Sequence, residues 1–239
     1  MRERGDCDCL HEPFMYFYYV HQAPKKMPYF QIDPDHPVTF KDILSHFKTC
    51  AINKPVFAKD MAYYVVPKIF DYPELATLFN HVFLIRNPHR SIASYFQLDQ
   101  EISSAEIGLN AQWELFQWVY QTSGNQPLVL SAEHVQSSPL SATEQLWDYL
   151  ELPACNGALE WKQGEVPKDW EQVSTWHEKT LRTSGIQKEK RNEASAIQHF
   201  QTLASRHPRL TQLLADHSFA YQSLKAVSET QWASHTAQT

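Results

Sequence analysis

Four short apolar runs, at 7–10, 55–58, 81–85 and 127–130, punctuate the first half of the chain. None alternates strictly, so they suit strands covered on both faces, as in a parallel sheet. Helix-length stretches separate them at 40–49, 72–79, 88–97 and 107–121. In the last of these, Leu109, Trp113, Phe116 and Tyr120 share one face by spacing. After the fourth run, Ser138-Pro139 reads as an N-cap with proline at N1, opening a helix that turns Ala142, Leu146 and Leu150 inward. This succession predicts an α/β fold whose ligands lie beyond the carboxyl ends of its strands.

The third run carries the most chemistry. It passes through Arg86-Asn87-Pro88 into a helix, with Ser94 eight positions after the arginine. A strand that delivers a cation beside a helix start makes an anion pocket. The helix contributes free N–H groups and a partial positive charge, Arg86 a forked cation and Ser94 a hydroxyl. Other polar groups end the remaining runs: His11-Glu12 after the first, Lys59-Asp60-Met61 after the second, and Ser131-Ala132-Glu133 after the fourth. A carboxylate, a lysine and an arginine at successive strand ends could converge on one anionic cofactor and one nucleophile.

A length of 239 residues suits one α/β domain, with a parallel-sheet core over 1–160 and a loop with C-terminal helices over 161–229. The polar tail 230–239 is expected to fray. A net charge of -6 argues against a broad nucleic-acid surface but leaves room for a local basic pocket. There is no apolar run long enough to span a membrane and no signal-peptide core at the N-terminus, so the cytoplasm is the expected location. The four cysteines lack paired CxxC spacing and are expected to be reduced, structural thiols. Neither they nor the histidines suggest a metal. A homodimer is left open.

Arg86-Asn87-Pro88 with Ser94-Tyr95-Phe96 resembles the 3'-phosphate-binding motif of the sulfotransferases that use 3'-phosphoadenosine-5'-phosphosulfate (PAPS). Val129-Leu130-Ser131-Ala132-Glu133-His134-Val135, then Ser138-Pro139 and Leu150-Glu151-Leu152-Pro153, is similar to the family's strand, acidic turn, helix and Leu-Gly-Leu-Pro-like corner. Arg4-Gly5-Asp6 through His11-Glu12-Pro13-Phe14 resembles a bacterial branch with a glutamate base. The resemblance implies a P-loop-NTPase-like three-layer fold with a central parallel sheet flanked by helices. It also implies sulfuryl transfer from PAPS, without a metal, to a hydroxyl or amine of a small-molecule or glycan acceptor. Glu12 is then the base, Lys59 neutralises the sulfuryl group, and Arg86 and Ser94 hold the 3'-phosphate. Arg182, in a segment like one that closes over the nucleotide, is a further cofactor candidate.

The chain departs from the family in two places. The strand and loop that wrap the 5'-phosphosulfate have no counterpart, and Met1-Arg2-Glu3-Arg4 matches the end of the helix that follows them. The first strand is therefore expected to be absent. Where many members carry Lys-Thr-His, this chain has Lys59-Asp60-Met61, and methionine takes no proton. A truncated or degenerate homologue that binds 3'-phosphoadenosine nucleotides without turnover is the alternative function.

Plainer roles stay open for each candidate. Arg86 could pair with a sheet-end carboxylate, and Ser94 could bond back to the carbonyl of Arg90. Glu12 could cap a helix or pair with an arginine, while Lys59 and the run Lys188-Glu189-Lys190-Arg191 could simply be solvated. His11 need have no role, and Tyr63, Tyr64 and the aromatic run from Phe14 to Tyr19 could be core or acceptor pocket.

Overall fold

All four apolar runs form parallel strands in the computed structural model, which describes residues 1–188 and 192–237. They are β1 (Asp8–His11), β2 (Val56–Lys59), β3 (Val82–Ile85) and β4 (Leu128–Ser131). The helices up to β4 are α1 (Phe40–Cys50), α2 (Ala62–Val65), α3 (Leu75–Leu78), α4 (Pro88–Phe96), α5 (Ser104–Ile107) and α6 (Leu109–Ser123). After β4 come α7 (Ala132–Ser137), α8 (Pro139–Tyr149), α9 (Ser174–Leu181), α10 (Glu193–Arg206) and α11 (Arg209–Thr236). The charged run that begins at Lys188 continues, from 189, outside the described residues.

These elements group into two compact units: Met1–Lys68 with Cys155–Ile186, and Ile69–Ala154 with Gln187–Thr239. One central sheet was the expectation; the hydrogen bonds instead draw two parallel pairs, β1 with β2 in the first unit and β3 with β4 in the second. Parallel neighbours cannot be joined by a hairpin and need a long crossover. In the first unit that crossover contains α1, and in the second it contains α4, α5 and α6.

In the first unit, α1 starts at Thr39, whose hydroxyl oxygen accepts the Asp42 N–H at 3.2 Å. Its buried face, Phe40, Ile43 and Phe47, meets Phe14 and Phe17. Phe14, Phe17 and Tyr19 are thus core residues, joined there by Tyr63 and Tyr64. The loop expected at the start of 161–229 contains α9 and a 3-10 segment, Lys168–Val173. Two long-range bonds tie it into the unit, from Trp176 Nε1 to the Pro28 carbonyl at 2.9 Å and from Gln31 N to the Gln172 carbonyl at 2.9 Å.

The second unit packs Ile92, Ala93 and Phe96 of α4 against Ile102, Phe200, Ala204, Leu210 and Leu213. Two helix faces differ from their spacing. On α6 the buried set is Leu109, Leu115, Phe116 and Val119, while Tyr120 is exposed. On α8, Trp147 is buried with Ala142 and Gln145, and Leu146 and Leu150 are half-buried. On α8 the bulkiest apolar side chain, Trp147, takes the interior.

The largest departure is at the C-terminus. A frayed tail was expected from 230, yet α11 runs unbroken to Thr236. Its buried stripe passes through Leu210, Leu213, His217, Ala220, Tyr221, Leu224 and Ser228. Beyond it, Gln231 accepts the Val129 N–H at 2.9 Å and donates to the Pro127 carbonyl at 2.9 Å, satisfying backbone groups at the start of β4. Trp232 stacks on His134, with ring centroids 4.6 Å apart.

Ile92 is completely buried. Ile92→Ala should lower the unfolding free energy by about 2–4 kcal/mol in urea titrations, whereas truncating the exposed Phe219 should change it by under about 0.5 kcal/mol.

Candidate active site

Glu12 is built into the first unit by the strand pairing itself. His11 lies opposite Lys59 in the β1–β2 register, and the Glu12 N–H donates to the Lys59 carbonyl at 2.7 Å, carrying the ladder one step further. There the chain turns sharply, with Glu12 at φ 48, a left-handed conformation that non-glycine residues seldom adopt. Such strain persists only where the surroundings enforce it. Here Asp60 Oδ1 accepts the Phe14 N–H at 3.1 Å, and Met15 N donates to the Glu12 carbonyl at 2.9 Å.

The Glu12 residue is 5% exposed. The Lys59 ammonium contacts its Oε1, and the Tyr64 hydroxyl, from α2, donates to its Oε2 at 3.0 Å. Burial acts to raise the carboxyl pKa. The charge of Lys59, the neighbouring His11 imidazole and the hydrogen bonds from Lys59 and Tyr64 outweigh it and hold the group below the usual glutamate range. Asp60 goes the other way: burial, with the Glu12 charge adding to it, pushes its carboxyl well above the ordinary value. Burial and Glu12 likewise push the Tyr64 hydroxyl up, so it stays a donor.

Beside this pair lies an imidazole couple. His11 and His177, the latter on α9, share a hydrogen bond of 2.8 Å between their Nε2 atoms, and the Trp170 ring packs against both. His11 Nε2 is 3.9 Å from Glu12 Oε1. Sequence reasoning left His11 without a role and did not single out His177 among the candidates.

In the second unit, β3 ends in Ile85 and passes through Arg86, which is half-buried, to Asn87. The sequence predicts free N–H groups at the start of α4, and the structure corrects this. Asn87 Oδ1 accepts the His89 N–H at 3.0 Å, and the Asn87 carbonyl accepts from Arg90 N at 2.9 Å. Pro88 has no N–H, and the Asn87 N–H donates to Glu133 Oε1 at 3.1 Å. The donors that normally attract an anion to a helix start are therefore already used. An anion at this corner would have to rely on side chains.

Ser94 lies two turns along α4 and is half-buried. Ser91, one turn earlier, bonds back to the carbonyls of Asn87 and Pro88 at 3.5 and 3.4 Å. The Ser94 hydroxyl makes no such bond among the described residues. The structure thus brings Glu12 and Lys59 into contact, and sets Arg86 just after β3 and Ser94 two turns along the helix that follows. Arg182, by contrast, follows α9 with a side chain 77% exposed, paired to Glu178 at 3.0 Å. No group of three or more His, Cys, Asp or Glu is placed to hold a metal among the described residues.

The sequence profile of the sulfotransferase domain matches residues 1–211. The chain belongs to the sulfotransferase domain family. A curated relative, a branched-chain-amino-acid aminotransferase-like protein 1 from Arabidopsis thaliana, is 29% identical over 125 residues. That match spans 52% of this chain and 22% of the plant protein. Among solved structures, a sulfotransferase domain from the curacin biosynthetic pathway is 14% identical, covering 72% of this chain and 68% of its own, with a TM-score of 0.38.

His11 gives this sulfotransferase domain a pH signature. Burial lowers its pKa from 6.5 to about 3, against the pull of Glu12. The unfolded chain therefore takes up a proton there that the folded chain refuses. Stability should be full above pH 6.5 and decline as pH falls from 6.5 towards 3. His11→Gln should flatten that decline, read as the difference in urea-unfolding free energy between about pH 7 and about pH 4.5. An unchanged slope would place the effect on other groups.

Proposed function

We propose that this domain transfers a sulfuryl group from PAPS to a hydroxyl or amine of a small-molecule or glycan acceptor, with Glu12 as base. The observation that carries this reading is the buried Glu12 carboxylate, touched by Lys59 and held by Tyr64 at the carboxyl ends of two parallel strands. Family membership supports the reaction class.

Sulfuryl transfer resembles phosphoryl transfer, an in-line displacement through a loose transition state in which positioning and cations do most of the work. The acceptor oxygen or nitrogen forms a bond to sulfur as the bond from sulfur to the 5'-phosphate oxygen breaks. Adenosine 3',5'-bisphosphate leaves with that electron pair, and the acceptor proton passes to Glu12. Lys59 Nζ is the cation for the sulfuryl oxygens. Arg86 and Ser94 take the 3'-phosphate, a role supported by the unused Ser94 hydroxyl and independent of the helix donors. Arg182 enters as a nucleotide contact only by exchanging its Glu178 partner for phosphate.

Lys59-Asp60-Met61 offers no histidine, which favours Glu12 as the proton acceptor. Its lowered pKa keeps it ionised throughout the neutral range.

Calorimetry with adenosine 3',5'-bisphosphate tests the donor assignment. Binding is expected, and Arg86→Ala should weaken it about 10- to 100-fold. Failure to bind, alongside clear binding of ATP, would overturn the PAPS reading. Radiolabelled sulfate transfer to an acceptor panel tests the chemistry. Glu12→Gln should cut turnover roughly 10²- to 10⁴-fold while nucleotide affinity stays nearly constant. Undiminished turnover would remove Glu12 as base. Bisphosphate binding with no transfer to any acceptor would instead make this a nucleotide-binding homologue without turnover.

A further inference from the structure

We propose that Lys59 couples donor arrival to base activation: its ammonium rests on Glu12 while the site is empty and moves to the sulfuryl oxygens when PAPS binds. The inference rests on the reading of Glu12 and Lys59 given above.

The two partners are held very differently. The Glu12 side chain is 7% exposed and the Lys59 side chain 45%. Glu12 is fixed from behind by the Tyr64 hydroxyl on Oε2 and by its clamped backbone, so it cannot follow a departing cation. Among the described residues, Lys59 Nζ has besides Glu12 only the Met61 sulfur, at 3.8 Å, a weak acceptor. Its four-carbon stem is flexible and its charge compact, so a nearby anion can draw it away. The buried partner stays and the exposed partner moves.

Removal of the ammonium alters Glu12 in a defined direction. The groups that face it are Lys59 from β2, Asp60 just beyond β2, Tyr64 from α2, His11 from β1 and His177 from α9. Lys59 supplies the largest charge opposing burial. His11 is neutral and, like Tyr64, offers less. With Lys59 withdrawn, burial prevails and the carboxylate binds a proton more tightly. An acceptor that enters an empty site therefore meets a quenched base, and one that enters a donor-loaded site meets an active one. The arrangement opposes deprotonation of the acceptor before a sulfuryl group is present.

The test is a carboxyl NMR titration of the full chain carrying ¹³C-labelled glutamate, with the Glu12 signal assigned by its loss in Glu12→Gln. Saturating PAPS without acceptor should raise the Glu12 midpoint by at least one pH unit, about a tenfold gain in proton affinity. Adenosine 3',5'-bisphosphate, which lacks the sulfuryl group, should leave the midpoint where it is in the free protein. Lys59→Met should show the raised midpoint without any nucleotide, and Lys59→Arg should stay near the parent value. Lys59→Gln serves as the neutral variant should the methionine fail to fold. Calorimetry on the same samples separates the possible failures. Binding of PAPS with no movement of the Glu12 midpoint, or a midpoint unmoved in the neutral variants, overturns the coupling alone. Absence of PAPS binding overturns the donor assignment and the coupling with it.

Discussion

A carboxylate enclosed as fully as Glu12 stays ionised only if something offsets the loss of water around it. Lys59 provides that offset, and the geometry that lets it do so is set by backbone pairing. The parallel β1–β2 ladder puts residue 11 opposite residue 59, and the extra bond from Glu12 N to the Lys59 carbonyl fixes where the next side chain emerges. A one-residue slip in that register would send the alternating side chains to opposite faces. The left-handed turn at Glu12, the Asp60 clamp on Phe14 and the Tyr64 hydroxyl all serve the same placement. The site is therefore a property of strand registration as much as of residue identity.

The β3–α4 corner reaches its order by another route. Asn87 caps the helix with its side chain, and Glu133, at the start of α7, accepts the Asn87 N–H while also accepting from the Ser131 hydroxyl at 3.0 Å. These bonds lock the turn that follows β3 to the end of β4, neighbours already joined by the β3–β4 ladder. The corner is rigid because its backbone groups are satisfied. The same satisfaction leaves recognition of any anion to the side chains of α4 and the residue before it.

Much of this was legible in the sequence because the signals were local. Short apolar runs marked four strands, and Asn87-Pro88 marked the start of a helix. Glu12 and Lys59 stood among several polar groups at strand ends, and the family resemblance picked them out. What escaped depended on partners far along the chain. His177 lies 166 positions from His11, and their pairing has no local signature. Tyr64 could not be told from Tyr63 until one hydroxyl faced Glu12 and the other faced Tyr19 at 3.3 Å. The second half of α11 was hidden because its buried stripe includes His217 and Ser228, residues that hydropathy counts as surface. His217 is accommodated by bonds to the Ser104 carbonyl at 2.8 Å and from the Asn110 N–H at 3.3 Å.

That long helix separates two meanings of a domain boundary. The family profile stops at residue 211, just after α11 begins, while the helix goes on to Thr236 and buries Leu213, Ala220 and Leu224 on the way. A protein trimmed to the shared segment would retain every proposed site residue yet expose the flanks of α4, α6 and β4 that the helix covers. The stretch matched by the family profile and the stretch that covers its own apolar faces are, in this chain, different lengths of polypeptide.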